Sequence, residues 1–264
     1  MKTNLSKVVF VIILFILSSK AFPQKSSQDA LLKKGIALTE QAYASYNQDL
    51  FLKSRNIFEQ VYDSNKTNLL PLYYMTFIDY KLLEMSLRQK GDSLFNKYYD
   101  GAEKNALLIS ENKEWESEGK TLLASVYMMK IAKSPMSAVS LAPKIGDLLE
   151  DAVNSNPANP RSYLIIGMMK FNTPKMYGGS YDIASENFRK AVSIYEKQDT
   201  TFTLKPSWGY LEALTWLGRS LEQQDNFESA KFMYQKVLSI QPQYGWVKYY
   251  LLPNLEKKME EKNK

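Results

Sequence analysis

The sequence predicts an all-α protein made of antiparallel helix pairs repeated along the chain. Three observations predict it. From Leu211 to Pro242 two short amphipathic stretches flank a tight polar turn. Weaker copies of that unit stand upstream, with a small, aromatic, small pattern at steps of four and three: Ala184, Phe188 and Ala191, then Ser54, Phe58 and Val61. Helical patterns also alternate with short polar turns from residue 30 to the end of the chain, the signature of stacked repeats. With 264 residues and 45% hydrophobic content, the chain can bury a sizeable core.

The first 21 residues stand apart. Met1 to Lys7 carries two lysines and no acid, Val8 to Leu17 is unbroken apolar sequence, and Ser19 and Ala21 are placed for a small-x-small cleavage site. A helix of these ten apolar residues spans about 15 Å, half of the roughly 30 Å hydrocarbon layer. Residues 1–21 therefore read as a secretory signal peptide rather than an anchor. The expected location is periplasmic or secreted, with no membrane span in the mature chain. Cysteine is absent, which excludes disulfides, thiol catalysis and the lipidated cysteine of a lipoprotein. Three lysines of the signal supply half of the net charge of +6, leaving an ordinary surface and no nucleic-acid footprint.

Residues 22–29 form a polar spacer, and a single helical repeat domain is expected over 30–262. Ala30 to Tyr46 shows helical spacing, and Asp49 is positioned to cap a second helix, Leu50 to Tyr62. Leu69 to Gln89 follows, with Pro71 in a first turn that tolerates it and Tyr73, Tyr74, Phe77, Tyr80 and Leu83 along one side. Gly91 breaks that helix. The next runs to Ser110 with Leu94, Tyr98 and Leu107 facing inward, weakened in its middle by Gly101. Trp115 to Ala132 ends at Pro135, and its partner, Ser137 to Asn154, is expected to begin properly near Pro143. The prolines of 154–160 force a turn before Arg161 to Asn172. An insertion, Thr173 to Gly179, precedes Tyr181 to Glu196; a polar loop over 197–206 leads to the Leu211 to Pro242 unit, and Tyr244 to Lys262 closes the chain.

Within that unit Leu214, Leu217, Gly218, Leu221, Ala230, Tyr234, Val237 and Pro242 stand where the tetratricopeptide repeat (TPR) has large, Leu, Gly, large, Ala, aromatic, small and Pro. The stretch resembles that family, most clearly over 160–197 and 211–242, and suggestively over 30–157. The resemblance implies a TPR-like right-handed α-solenoid with a C-terminal capping helix; a helical bundle with one or two embedded repeats is the alternative. Gly218 and Ala230 are small because paired helices cross closely there, with Tyr234 filling a gap against the next pair.

The chain has neither histidine nor cysteine, removing the commonest general base and metal ligand. Ser137 with Lys144, or Glu116 with Glu118, pair only as neighbours on charged helix faces. Gly178-Gly179 lacks the strand and the other glycines of a phosphate loop and reads as a turn. Met128-Met129 and Met168-Met169 read as core packing. No enzyme, cofactor or metal is expected. The resemblance implies that first helices line a concave face, where residues outside the packing signature are the candidate contacts: Thr215, Trp216 and Arg219; Arg161, Met168 and Asn172; Ser125 and Met129. The first functional expectation is an exported scaffold that binds a protein or peptide there. The second is a periplasmic solute-binding or transporter-accessory protein enclosing a small ligand. A glycan-binding accessory rests only on the 18 Tyr, 12 Phe and 4 Trp, most of them at packing spacing.

Overall fold

The structure, a computed structural model, describes residues 27–88, 91–198 and 204–262. The predicted signal peptide and residues 22–26 lie outside that range, and the chain is already helical at 27, inside the expected spacer. Five pairs follow in order: α1 (27–45) with α2 (Gln48–Ser64), α3 (Leu69–Ser86) with α4 (Ser93–Ser110), α5 (Glu116–Lys133) with α6 (Ala138–Ser155), α7 (Pro160–Asn172) with α8 (Tyr181–Lys197), and α9 (Tyr210–Gln223) with α10 (Phe227–Ile240). A closing helix carries a π turn, Val247–Leu251, before α11 (Leu252–Lys262). Among α3, α5, α7 and α9, each inner helix packs on its own partner and on the next inner helix, which makes the stack continuous.

Helix starts follow local chemistry. Asn47, not Asp49, caps α2 by accepting from the Leu50 amide at 3.1 Å, and Asp49 sits in the first turn, where its charge suits the helix dipole. Asn68, Asn159, Ser180 and Asn226 cap α3, α7, α8 and α10 in the same way. Pro143 lies inside α6 instead of starting it. It forgoes one bond to the carbonyl of Val139, a residue exposed at the outer edge, where water serves instead. In α4 the inward face is Phe95, Tyr98, Tyr99, Ala102, Ala106 and Ile109, whereas Leu107 is exposed because it stands about 100° round the helix from Ala106. Pro253 accounts for the π turn: it has no N–H for the carbonyl four residues back, and the widened turn makes room for its ring.

The repeat geometry is set by a glycine under a ring. A Cβ on Gly218 would lie 2.5 Å from the Tyr234 ring, on Gly167 2.4 Å from Phe188, and on Gly35 2.8 Å from Phe58. Tyr234 therefore packs over the glycine of its own pair, not chiefly against the next one. Gly35 also completes the weak copy around Ser54, because the Ser54 and Thr39 hydroxyls meet at 2.8 Å and both reach the Gly35 carbonyl. In the insertion, a 3-10 turn at Lys175–Tyr177 ends on Gly178 with φ of 88°, as a turn glycine should. Among the described residues no helix is long and apolar enough to cross a membrane.

Candidate functional site

The inner face of the stack is not an open groove. α3 is buried over nearly its whole circumference, with Leu69 and Glu84 its only residues that are not. Part of what covers it is the chain's own segment 204–209. Trp208 stacks on Phe77 with ring centroids 4.4 Å apart. Its indole N–H donates to the Tyr73 hydroxyl at 2.8 Å, and its carbonyl accepts from the Tyr195 hydroxyl at 2.9 Å. The Tyr74 hydroxyl donates to the Lys205 carbonyl, and Ser207 reaches Glu40 on α1. Gly209 lets this strap turn into α9: its φ is +112°, and a Cβ there would stand 2.1 Å from the Tyr195 oxygen. No side chain but hydrogen fits.

Closure of the stack brings charges inside, and three of these cations have carboxylates. Arg161 on α7 forks onto Glu118 of α5, with Nε to both carboxylate oxygens at 2.9 Å and Nη2 to Oε1 at 2.5 Å, and reaches the Pro206 carbonyl of the strap at 3.3 Å. Arg55 pairs with Asp79 at 2.6 and 3.2 Å. Lys81 pairs with Glu84 and, at 3.4 Å, with Glu212 of α9, whose other oxygen accepts from the Tyr43 hydroxyl at 2.5 Å. Burial opposes the charge on each cation, but the carboxylates outweigh it and hold all three above their ordinary pKa. Burial, with the Glu212 charge beside it, keeps the Tyr43 hydroxyl well above the usual phenol range and so a donor.

Where α1 and α3 approach the start of the closing helix, a cleft of about 230 Å³ remains. Tyr43, Tyr46, Tyr244, Trp246 and Tyr250 supply aromatic walls, and Lys81, Glu84, Arg88 and Glu212 its charges. Tyr46 ends α1 in the left-handed region, φ 52°, a conformation costing a bulky residue about 1–2 kcal/mol and ordinarily left to Gly or Asn. Its ring lies under the Arg88 guanidinium at 5.2 Å. Beside the cleft, Arg219 stands 4.2 Å from the Trp216 ring centre, 4.8 Å from Phe171 and 5.3 Å from Trp246. Burial lowers its pKa, and the positive charge of Arg88 contributes.

The sequence-predicted contact residues divide sharply. Trp216, Thr215, Arg161, Met168, Ser125 and Met129 are buried in the chain itself. Thr215 donates to the Leu211 carbonyl and Ser125 to that of Thr121, while Trp216 sits among Phe171, Phe188 and Trp246. Asn172 is exposed and Arg219 partly so, and of the eight only these two keep substantial solvent access. Glu118 holds Arg161 and Glu116 holds Lys120, so neither forms a carboxylate pair. The cleft residues lay beyond local reading because residues 43–46 and 244–250 meet only on closure. A charged Lys81 and Glu212 inside otherwise apolar helices were the available signal.

Comparison with known proteins agrees with this architecture. Residues 211–244 match the tetratricopeptide repeat family model. The HusA haemophore from Porphyromonas gingivalis has a similar fold, TM-score 0.59 at 19% identity, over 74% of this chain and 92% of that one. So does a thermophilic TPR protein of Thermus thermophilus, TM-score 0.57 at 16% identity, over 89% and 97%. No curated protein matches the sequence. The chain carries a tetratricopeptide repeat and folds as a TPR-like α-solenoid.

Proposed function

We propose that this chain is an exported, non-catalytic binding protein that holds a small ligand in the cleft between α1, α3 and residues 244–250. The observation that carries the reading is the occupied inner face. With the 204–209 strap covering α3 on the inner face, the aromatic cleft beside it is left open among the described residues. Its strained Tyr46 supports the same reading, because backbone strain retained at a cleft wall points to a role for the ring held there. At about 230 Å³ the opening is below the roughly 300–1,000 Å³ usual for drug-sized ligands. It suits a compact molecule or one end of a larger one. Haem is the ligand nominated by the likeness to a haemophore; with no histidine or cysteine in the chain, any iron ligand would be Tyr or Met.

Thermal shift across a metabolite panel that includes haemin tests the reading. A ligand at about 100 times its dissociation constant stabilises by about 2.7 kcal/mol, and the shift should shrink in Trp246→Ala. No shift with any member, together with recovery of a protein partner from envelope extract, would return the function to the scaffold reading. Export is tested by fusing residues 1–30 to alkaline phosphatase: activity in intact cells supports it, and none rejects it.

A further inference from the structure

We propose that Arg219 is the anchor for a carboxylate on the ligand, so that the cleft takes small organic acids with a flat apolar body. The inference rests on the cleft reading above and specifies its ligand class. Three inner cations, Arg55, Lys81 and Arg161, each face a carboxylate of the chain itself. Arg219 is only partly buried, and among the described residues it forms no ion pair; its guanidinium lies over the π faces of Phe171, Trp216 and Trp246. The acid nearest in sequence, Glu222 three residues on, favours the Arg219 charge without pairing with it, because it is held by Lys258 at 2.5 Å and by the Tyr234 hydroxyl at 3.1 Å.

A guanidinium has five donors and no acceptor, and leaving them unmet in a half-buried site is costly. Arg88, which lines the cleft, has no ion pair among the described residues either, and its charge is felt at Arg219. Within the lining Lys81 and Arg88 are balanced by Glu84 and Glu212, so the positive charge in excess at this corner is that of Arg219. The same corner lacks an acceptor on a second count, since the Trp216 indole N–H is buried without a partner among the described residues. Trp246 is both a wall of the cleft and a face under the Arg219 guanidinium. A ligand lying along Trp246 can thus bring its carboxylate toward Arg219, which stands beside the cleft's lining, and set its apolar body against the tyrosines. A charge-assisted pair of this kind contributes about 1.5–3 kcal/mol, which is about tenfold or more in affinity.

The test compares 2-naphthoate with its neutral amide, 2-naphthamide, by isothermal titration calorimetry on the purified chain. The acid is expected to bind at least about tenfold more tightly than the amide. In Arg219→Gln that preference should vanish, with cooperative unfolding showing that the variant is folded, and Arg219→Lys, which keeps the charge, should retain part of it. Equal affinity for the two compounds in the wild type, or an acid preference that survives Arg219→Gln, would overturn the inference. If both bind alike and Tyr46→Ala weakens both, the cleft stands as the site and only the carboxylate is lost. If neither binds, the cleft and the carboxylate fall together.

Discussion

Arg161 and Arg219 lie on successive inner helices, both against tryptophan faces, and they are treated in opposite ways. Arg161 has a forked carboxylate, Glu118, and a strap carbonyl, and it ties α5, α7 and the 204–209 segment into one body. Arg219 has three rings and no carboxylate. The contrast separates a charge that completes a fold from a charge left for something outside it. Arg161 is buried and Arg219 only partly so, and the carboxylate partner that the first has and the second lacks completes the distinction.

The comparison breaks most easily at the paired arginine. Arg161→Met leaves Glu118 unpaired in a nearly buried position and should cost about 3–5 kcal/mol in urea unfolding; a loss below about 1 kcal/mol would mean the fork is not structural. Trp208→Ala, which opens the strap's stack on Phe77, is expected to cost a similar 3–5 kcal/mol. Gly218→Ala should cost about 1–3 kcal/mol by forcing the Tyr234 ring aside, a weaker effect because it strains one helix pair and leaves the closure intact. Tyr46→Asn should leave stability unchanged or raise it by up to about 1 kcal/mol, since Asn tolerates the left-handed conformation, while weakening ligand binding. Stability lost with binding unaffected would count against the cleft. Arg219→Met, the direct counterpart of Arg161→Met, should cost no more than about 1 kcal/mol, the weight of its ring contacts.

The Arg55–Asp79 pair provides an intermediate case that pH can read. Burial pushes the Asp79 carboxyl from 3.8 up to about 6 against the pull of Arg55. Since the folded value is the higher one, this group's contribution is full below about pH 4 and is lost as pH rises through 6. The melting temperature of Asp79→Asn relative to wild type should therefore rise between pH 4 and 7. A flat difference would mean that Arg55 cancels the burial.

The signature residues of 211–242 are readable because each solves a local problem: Gly218 admits the Tyr234 ring, and Pro242 stops α10. The same logic makes Ser54, Phe58 and Val61 a buried stripe, though their glycine, Gly35, sits in a preceding helix at a spacing the repeat pattern does not fix. Leu107 faces outward against expectation, as does Leu108, because Ala106 and Ile109 take the inward phase of the same apolar run, a choice that only the neighbouring helices make. Trp216 reads equally as groove wall or packing residue from sequence, and here it packs. Residues 197–206 read as a polar connection; that the strap beyond them fills the inner face depends on tyrosines of α3 more than a hundred positions away.

Local chemistry thus determined the helices, their caps, the prolines' interruptions and the pairing of α9 with α10, because periodicity, caps and close-packed glycines act over distances of one or two turns. Closure was decided only in three dimensions. How far the stack curves depends on the sum of small rotations between pairs, and those rotations bring Tyr43 to Glu212 and residues 43–46 to 244–250. That sum also decides which arginine meets a carboxylate and which does not.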